Sequence, residues 1–391
     1  MFETDSFGSV AGHFTNGNPA TLTPATKSDA AWFNAVQDEL VNVIEAAGLT
    51  LNKLDSTQLL QALQVMTGLV PSGGRNLLIN GDMRVAQRRK TATFSNAGGQ
   101  LTGFVLDRWL SGADTGAGLG VATVSRQPYT IGGVAGDPIY FLRHVQSTAP
   151  TVGQPFASQK IESVRGHSDG KRTVSVLLKG SGAFNVTARL TQNFGTGGSP
   201  SSPVIVGSAV FAVTTTLQAF SMTLTLPSIA GKTLGTAGND HLLLELSFPN
   251  SGTYTVELGN VQVEAGDVAS PFVRRPLGVE LALCQRYFEK SYEVETDPGT
   301  PTELGATHWH NVSTATDINE AEAHFTVEKR AVPAITWYAG GSGNVGSLNI
   351  GGSIAVTGTT NISRKATGVP LIGSTAGTAS GSAQWSADAE L

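Results

Sequence analysis

The chain has 391 residues, which is long enough for two or three domains that each bury a core. Only 14% of the residues are charged, the formal net charge is −5 and 47 residues are glycine, so the composition favours a β-rich structural protein and gives no electrostatic reason to bind nucleic acid or an anionic membrane. The single cysteine excludes an internal disulfide framework, and no window approaches about 18 consecutive apolar residues, so we expect no membrane insertion.

The first segment, residues 1–27, shows no apolar periodicity and contains five glycine or proline residues: Gly8, Gly12, Gly17, Pro19 and Pro24. This pattern predicts an extended arm. A disordered tail is the alternative, but the isolated side chains of Phe2, Phe7 and Phe14 favour an arm that docks on a partner. The segment has neither a basic nor an apolar signal region, so we expect synthesis in the cytoplasm without export by a standard signal.

Residues 28–70 change to a helical period. One apolar stripe has spacings of three and four residues: Trp32, Val36, Leu40, Val43, Ile44 and Ala47. A second helix is predicted after Asp55, with a stripe that includes Leu59, Leu60 and Leu63. Two helices of this size cannot bury both stripes against each other, so we expect them to pack on another copy of the chain or on another protein.

Residues 76–275 alternate between apolar and polar residues with a period of two. The pattern is clear in Phe184–Leu190, Phe220–Leu226 and Leu242–Phe248, and further strands are predicted around Val176 and Val256. Each predicted strand has one buried and one hydrated face. Strands this numerous, separated by loops rich in Gly, Ser and Pro, predict an antiparallel jelly-roll β-sandwich, with Trp109 and Phe141 in its core.

The remaining sequence predicts a helical linker over residues 276–292 and a second, smaller β-sandwich over residues 293–391. In the linker, Leu281 and Cys284 lie at helical spacing, and we assign both to the oligomer contact together with Trp32, Val36, Leu40 and Val43. The thiol of Cys284 is expected to be buried and inert rather than nucleophilic. In the distal segment, Ile335 and Trp337 share one face of a predicted strand.

Motifs for catalysis or cofactor binding give little support to an enzyme. Gly341–Gly346 has the Gly-x-Gly-x-x-Gly spacing, but the residues that follow do not favour the helix that phosphate binding needs, so no cofactor is expected. The sequence has no Gly-x-Ser-x-Gly, His-Glu-x-x-His, Cys-x-x-Cys or Walker motif. An acidic cluster at 293–303 is interpreted as a solvated loop rather than a carboxylate pair for glycoside hydrolysis.

The distal segment also carries the candidate binding residues. His308 and His310 share a face if they lie on a strand, which on a three-fold axis would suit a metal, although a pair lining a surface groove is the favoured interpretation. Aromatic faces and imidazoles near Asn, Ser and Thr are typical of sugar recognition. The predicted receptor-binding set is Trp309, Tyr338, His308, His310 and Trp385.

Several segments, taken in order, resemble one family. These are Asn76–Arg88, Asp107–Trp109, Gly259–Gly266, Pro271–Phe272 and Leu281–Tyr287. They are similar to the opening and closing strands of jelly-roll domains, themselves similar to carbohydrate-binding modules, in tail-fibre and baseplate proteins of tailed bacteriophages. Residues 32–48 followed by residues 58–63 resemble the helical segment that heads such fibres, and residues 325–335 resemble their distal domains.

The resemblance implies a homotrimeric tail-fibre or receptor-binding protein in the phage tail. Its N-terminus would attach to baseplate or tail proteins, and its distal domain would bind a glycan or glycoconjugate of the host surface. A baseplate or tail-tip subunit whose sandwich is only a spacer or docking module is the alternative. A glycan-degrading tailspike enzyme is the third possibility.

Overall fold

The computed structural model describes residues 5–11, 13–27, 29–67, 75–95, 101–113, 118, 120–311, 321–349, 353–355, 362–369 and 379–391, with side chains left out at 64–67, 309–311, 321, 353–355, 369 and 379–380. The chain divides into two compact units, Met1–Arg75 and Asn76–Leu391. The predicted mainly β fold is confirmed, since antiparallel sheets form most of the second unit. Among the described residues, no helix combines the length and apolar character needed to cross a membrane.

The N-terminal segment folds back on itself, so the prediction of an extended arm is wrong. The Lys27 amide donates to the Phe7 carbonyl at 2.9 Å, and the Thr26 amide donates to the Thr15 carbonyl at 2.9 Å. Gly8 has a φ of +85°, and a Cβ atom there would lie 2.5 Å from the Ala25 carbonyl oxygen. Glycine therefore permits both the chain reversal and the close approach of the two segments. A short 3₁₀ helix, Pro19–Thr21, forms the turn.

Two helices follow, as predicted: α1 (Ala30–Ala46) and α2 (Gln58–Thr67). The carboxylate of Asp29 caps α1 by accepting from the Ala31 amide at 2.9 Å. The helices enclose only a small core of Ile44, Ala47 and Ala62. Apolar side chains on both helices stay exposed: Phe33, Leu40, Leu60 and Leu63. Within this unit the apolar stripes are therefore only partly covered.

The second unit contains a sandwich of two six-stranded antiparallel sheets. We call them the front sheet and the back sheet. The front sheet has the order β1 (Thr91–Ser95), β4 (Val121–Pro128), β5 (Tyr140–Thr148), β12 (Tyr254–Ala265), β7 (Lys171–Gly180) and β10 (Gln218–Thr225). The back sheet has the order β2 (Thr102–Phe104), β3 (Leu110–Ala113), β6 (Pro155–Glu162), β11 (His241–Ser247), β8 (Phe184–Asn193) and β9 (Val204–Val213). The chain passes repeatedly from one sheet to the other, which is the jelly-roll arrangement expected from the sequence.

The sandwich core lies between the sheets and follows the predicted alternation. Leu242, Leu244 and Leu246 are fully buried, as are Val256 and Leu258 of the opposite sheet. Trp109 is buried as predicted, and its indole donates to the Asn80 carbonyl at 2.9 Å. The pleat thus places apolar residues inward and leaves the other side of each strand available for solvent or ligand.

The segments that carry the family resemblance are joined by buried hydrogen bonds. The Asn76 side-chain amide donates to the Val261 carbonyl at 3.1 Å, which ties the opening segment to β12, the last strand of the sandwich. The Asn80 amide donates to the Asp107 carbonyl at 3.0 Å. Arg275 donates to the Leu78 carbonyl at 3.0 Å. Because these polar side chains are engaged with the backbone, the resemblance rests on residues that hold the fold together.

The predicted helical linker is shorter than expected. Helix α3 spans Leu277–Gln285, and β13 (Phe288–Lys290) follows directly. This strand pairs with the last strand, β20 (Ala379–Asp388), so residues assigned to the linker belong to the distal sheet. The prediction of a helix through 292 is wrong because the Phe288 and Lys290 side chains are drawn into the distal domain.

The distal domain is built around β20. That strand pairs with β13, β14 (Thr307–Asn311), β16 (Ala334–Tyr338) and β17 (Ser347–Asn349), and β17 also pairs with β18 (Ser353–Ala355). A second, two-stranded sheet contains β15 (Ala321–His324) and β19 (Ala366–Val369). Phe325, Trp337 and Trp385 lie in one small core. Strand β17 follows Gly341–Gly346, so this glycine motif leads into a strand instead of the helix that phosphate binding needs.

Ion pairs join residues 388–390 to the sandwich. Arg88 contacts Asp388 at 2.6 Å, and Arg108 forms an ion pair with Glu390. The Arg88 guanidinium also lies 4.0 Å from the centre of the Phe288 ring. Sandwich and distal domain therefore belong to one compact unit.

Candidate functional site

The exposed face of the front sheet carries a row of polar side chains across four neighbouring strands. Ser125 of β4 is paired with Arg143 of β5, Arg143 with Glu257 of β12, and Glu257 with Lys179 of β7. Paired residues of neighbouring strands point to the same face of a sheet. The four side chains therefore form one continuous line on the side that faces away from the core.

Beside this row the sheet is hollowed into a groove with a volume of about 390 Å³. Its floor and walls include Tyr129, Phe141, Arg143, Lys179, Leu217 and Glu257. The floor comes from β5, β12 and β7, and the walls come from the β4–β5 hairpin and the turn before β10. A groove of this size is within the range of small-ligand sites.

The charged side chains of the groove are organised around Glu257. Arg143 donates to one carboxylate oxygen of Glu257 from Nε at 3.1 Å and from Nη2 at 2.8 Å. The Lys179 ammonium lies 3.4 Å from the other oxygen. The Glu257 side chain is 13% exposed, whereas those of Arg143 and Lys179 are 36% and 42% exposed. Both cations thus reach solvent in the groove while the carboxylate is largely enclosed between them.

An aromatic pair forms the other part of the groove. The Tyr129 and Phe141 rings have centroids 4.7 Å apart and are tilted by 48°. A Cβ atom at Gly259 would lie 2.5 Å from the Tyr129 hydroxyl oxygen, so only glycine leaves room for the tyrosine there. The hydroxyl is buried and has no hydrogen-bond partner among the described residues. Burial, and secondarily the nearby Glu257 charge, raises the pKa of Tyr129.

The β4–β5 hairpin that forms one wall is held in place by hydrogen bonds. The Tyr129 amide donates to the Ile139 carbonyl at 2.9 Å. Arg274 donates to the carbonyls of Gly136 at 3.2 Å and Asp137 at 3.0 Å. Binding loops fixed in this way lose little conformational entropy when a ligand enters.

Two of the predicted receptor-binding residues lie in the distal core, so their assignment to an exposed site is wrong. Tyr338 is 9% exposed, with its ring 5.7 Å from that of Tyr292, and Trp385 is 5% exposed. The period of two correctly separated the faces of β16, but the segment around Tyr292 and Gly299 covers the face that was expected to meet solvent. Neither ring is available to stack on a ligand.

The other distal candidates lie on β14, so the strand on which the interpretation of His308 and His310 depended is present. His308 is exposed, whereas the side chains of Trp309 and His310 lie outside the described residues. Among the residues that are described, no group of three or more His, Cys, Asp or Glu is placed to hold a metal ion.

The predicted oligomer contacts divide between the two units. Leu40 is 43% exposed, and Trp32, Val36 and Val43 are half-buried. Cys284 is fully buried within the second unit, so its assignment to an oligomer contact is wrong. It lies on the same side of α3 as the buried Glu280, which faces the sandwich, whereas Leu281 is half-buried. Burial raises the pKa of the Cys284 thiol well above its ordinary value, in line with the expected inert thiol.

The groove itself was missed by sequence reasoning. Phe141 was expected in the core, and it is buried, but the residue lies under Tyr129 on the groove side of the sheet. The available signal was the presence of Lys179 and Glu257 at outward positions of two predicted strands, whereas no strand was predicted around Arg143. Without the strand order, nothing in the sequence brings these three residues together.

Comparisons with known proteins give one short sequence match and several remote structural ones. No family model matches the chain. A stretch of 64 residues, 16% of the chain, is 45% identical to the "Uncharacterized protein StfP" of Escherichia coli (strain K12) and spans 31% of that protein's length.

The structural similarities are all at low sequence identity. A CBM4 structure is 10% identical with a TM-score of 0.29 over 48% of this chain and 98% of the other. The enzymatically active domain of tailspike protein 4 of bacteriophage CBA120 is 11% identical with a TM-score of 0.30, over 50% of this chain and 22% of the other. The family 11 carbohydrate-binding module of Clostridium thermocellum is 12% identical with a TM-score of 0.26, over 46% of this chain and 98% of the other. At these values the similarities carry no conclusion about function, and the jelly-roll assignment comes from the strand order.

Proposed function

We propose that this chain is a tail-fibre or receptor-binding protein of a tailed bacteriophage, which binds a host-surface glycan through the groove on the front sheet. The groove carries the binding part of the proposal, because it combines an aromatic pair with charged hydrogen-bonding groups on a fixed scaffold. Sugars present C–H faces that pack on aromatic rings and hydroxyls that pair with Arg, Lys and carboxylate groups. The phage part is supported by the segments that resemble phage jelly rolls, which lie at the opening and closing of the sandwich.

The binding site proposed here lies on the sandwich, whereas the sequence predicted a site in the distal domain. Tyr338 and Trp385, two of the distal aromatic candidates, are core residues, whereas Tyr129 lines an open groove. We keep the distal domain as the outward end of the proposed fibre, with His308 on its surface.

The N-terminal unit is proposed as the part that forms a homotrimer and attaches to baseplate or tail proteins in the virion. Phe33, Leu40, Leu60 and Leu63 expose apolar side chains on its two helices. Helices this short gain most of their stability from packing, so these side chains favour a contact with other copies or with a tail protein. The same observation favours the second candidate, a baseplate or tail-tip subunit whose sandwich is a spacer.

Binding rather than glycan cleavage is proposed for the groove. Most glycoside hydrolases use two carboxyl groups, one on each side of the scissile bond. Among the residues described as lining the groove, Glu257 is the one carboxylate, and it is paired with Arg143 and Lys179. A glycan-degrading role would require release of reducing ends from a polysaccharide that binds there.

The proposal is tested with the full-length chain on an array of bacterial surface glycans, compared with Tyr129→Ala. We expect binding by the wild type and a loss of roughly 2- to 10-fold in affinity for the variant, because a stacking contact is worth about 0.5–1.5 kcal/mol. Ile131→Ala is the control, since Ile131 is 91% exposed on the same hairpin and outside the groove lining. Absence of glycan binding by a folded wild type would favour the spacer candidate.

A further inference from the structure

We propose that the groove on the front sheet selects anionic saccharides, meaning sugars that carry carboxylate or phosphate groups. This inference rests on the proposed glycan-binding function and adds the chemical class of the ligand. It is carried by the balance and the placement of charge in the groove.

The groove carries an excess of positive charge on a chain that is negative overall. Among the described residues that line it, the charged ones are Arg143, Lys179 and Glu257, two cations and one carboxylate. The whole chain has a formal net charge of −5. A local positive site on a negative protein is not explained by general solubility, and it gives an anionic ligand a specific place to bind.

Both cations keep hydrogen-bonding capacity for a ligand. Arg143 contacts Glu257 through Nε and Nη2, which leaves Nη1 without a partner among the described residues. Lys179 contacts Glu257 at the longer distance of 3.4 Å, and an ammonium group has three donors. Guanidinium and ammonium groups bind carboxylate and phosphate more strongly than they bind neutral hydroxyls.

The two cations of the groove converge on one point. Arg143 and Lys179 lie on either side of Glu257 in the row across β5, β12 and β7. Their backbones are two strand spacings apart, about 10 Å, yet both side chains reach the one Glu257 carboxylate. An anionic group of a saccharide that approaches this point can therefore pair with both cations.

The position of Glu257 provides a test of the anionic selectivity. Its carboxylate competes with a ligand anion for the same two cations. Removing this charge should release both Arg143 and Lys179 for the ligand. The substitution Glu257→Gln should therefore strengthen binding of acidic saccharides and leave binding of neutral ones nearly unchanged.

The test compares oligomers of galacturonic acid with the same oligomers after carboxyl reduction to galactose, and with a phosphate-bearing oligosaccharide. Affinities for the full-length chain are measured by calorimetry at low and at moderate salt. We expect the acidic oligomers to bind at least roughly fivefold more tightly than the reduced ones, with the difference falling as salt screens the charges. Lys179→Gln should weaken acidic binding, and Glu257→Gln should strengthen it.

The back sheet supplies a matched control. Arg189 contacts Glu245 at 2.7 Å, with side-chain exposures of 40% and 15%, which closely match those of Arg143 and Glu257. The substitution Glu245→Gln removes a similar exposed pair outside the groove and should leave all affinities unchanged.

The outcomes separate this inference from the proposed function. Tighter binding of acidic oligomers that depends on Lys179 supports both the anionic selectivity and the proposed glycan binding. The phosphate-bearing oligosaccharide then shows whether carboxylate or phosphate is preferred. Equal affinity for acidic and reduced oligomers overturns the anionic selectivity but keeps glycan binding. Absence of binding by every saccharide, on this panel and on the array, overturns both.

Discussion

At the scale of single residues, the same residue type serves different purposes in the two parts of the second unit. Tyr129 lies in an open groove, whereas Tyr338 lies in the distal core. Tyr129 directly follows β4, and Tyr338 is the last residue of β16. What separates them is the covering chain, since the segment around Tyr292 closes over Tyr338.

Substitution of Tyr338 tests this distinction. Tyr338→Ala should lower the free energy of unfolding by about 3 kcal/mol, because it removes a buried ring from a small core. Urea unfolding of the full-length chain measures the effect. Val345→Ala, at a residue that is 69% exposed and paired with Tyr338 in a β-bridge, is the control. A variant as stable as wild type would place Tyr338 outside the core.

Three buried imidazoles predict a pH dependence of stability. Burial lowers the pKa values of His144, His167 and His241 from 6.5 to about 4. Between these values the unfolded chain binds more protons than the folded chain, so the free energy of unfolding should fall as the pH drops from about 6.5 to about 4. Below about pH 4 these three groups add no further pH dependence to the free energy of unfolding.

The measurement is the midpoint of urea unfolding from pH 4 to pH 7. His167→Asn should flatten the slope by about one proton's contribution, because it removes one of the three groups. His308→Asn is the control, since His308 is exposed. If the free energy of unfolding of the wild type rose as the pH dropped over this range, the conclusion that these three imidazoles are buried in the neutral form would be wrong.

At the scale of elements, α1 and α2 leave much of their apolar surface uncovered. Their shared core contains only Ile44, Ala47 and Ala62, and Leu40 is exposed on α1. A helix with such a stripe is typical of a segment that packs on another molecule. The N-terminal unit is therefore the element in which assembly should be sought.

A charge on this stripe tests the proposed homotrimer. Leu40→Asp should dissociate the oligomer, because burial of an unpaired carboxylate at an interface costs several kcal/mol. Sedimentation of the full-length chain gives the mass. Leu54→Asp is the matched control, since Leu54 is 94% exposed in the connection between the helices. If the wild type and both variants sediment as the same monomer, the proposal of a homotrimer is wrong.

At the scale of the whole molecule, the sequence predicts well which face of a strand is buried. It predicts poorly which strands become neighbours in a sheet. The alternation in Leu242–Phe248 correctly gives the buried face because burial follows the pleat within one strand. The row of Arg143, Glu257 and Lys179 depends on which strands become neighbours, and β5, β12 and β7 are distant in sequence. The folded-back N-terminal segment was missed for a related reason, since its turns depend on contacts between Gly8 and Ala25.

The central claim is that the groove on the front sheet is the glycan-binding site of this molecule. It is tested most directly by a structure of the full-length chain with an oligosaccharide that the glycan array identifies. We predict that the sugar lies in the groove, packed on Tyr129 and paired with Arg143 or Lys179. A sugar bound instead on the distal domain, beside His308, with the groove empty, would contradict the claim.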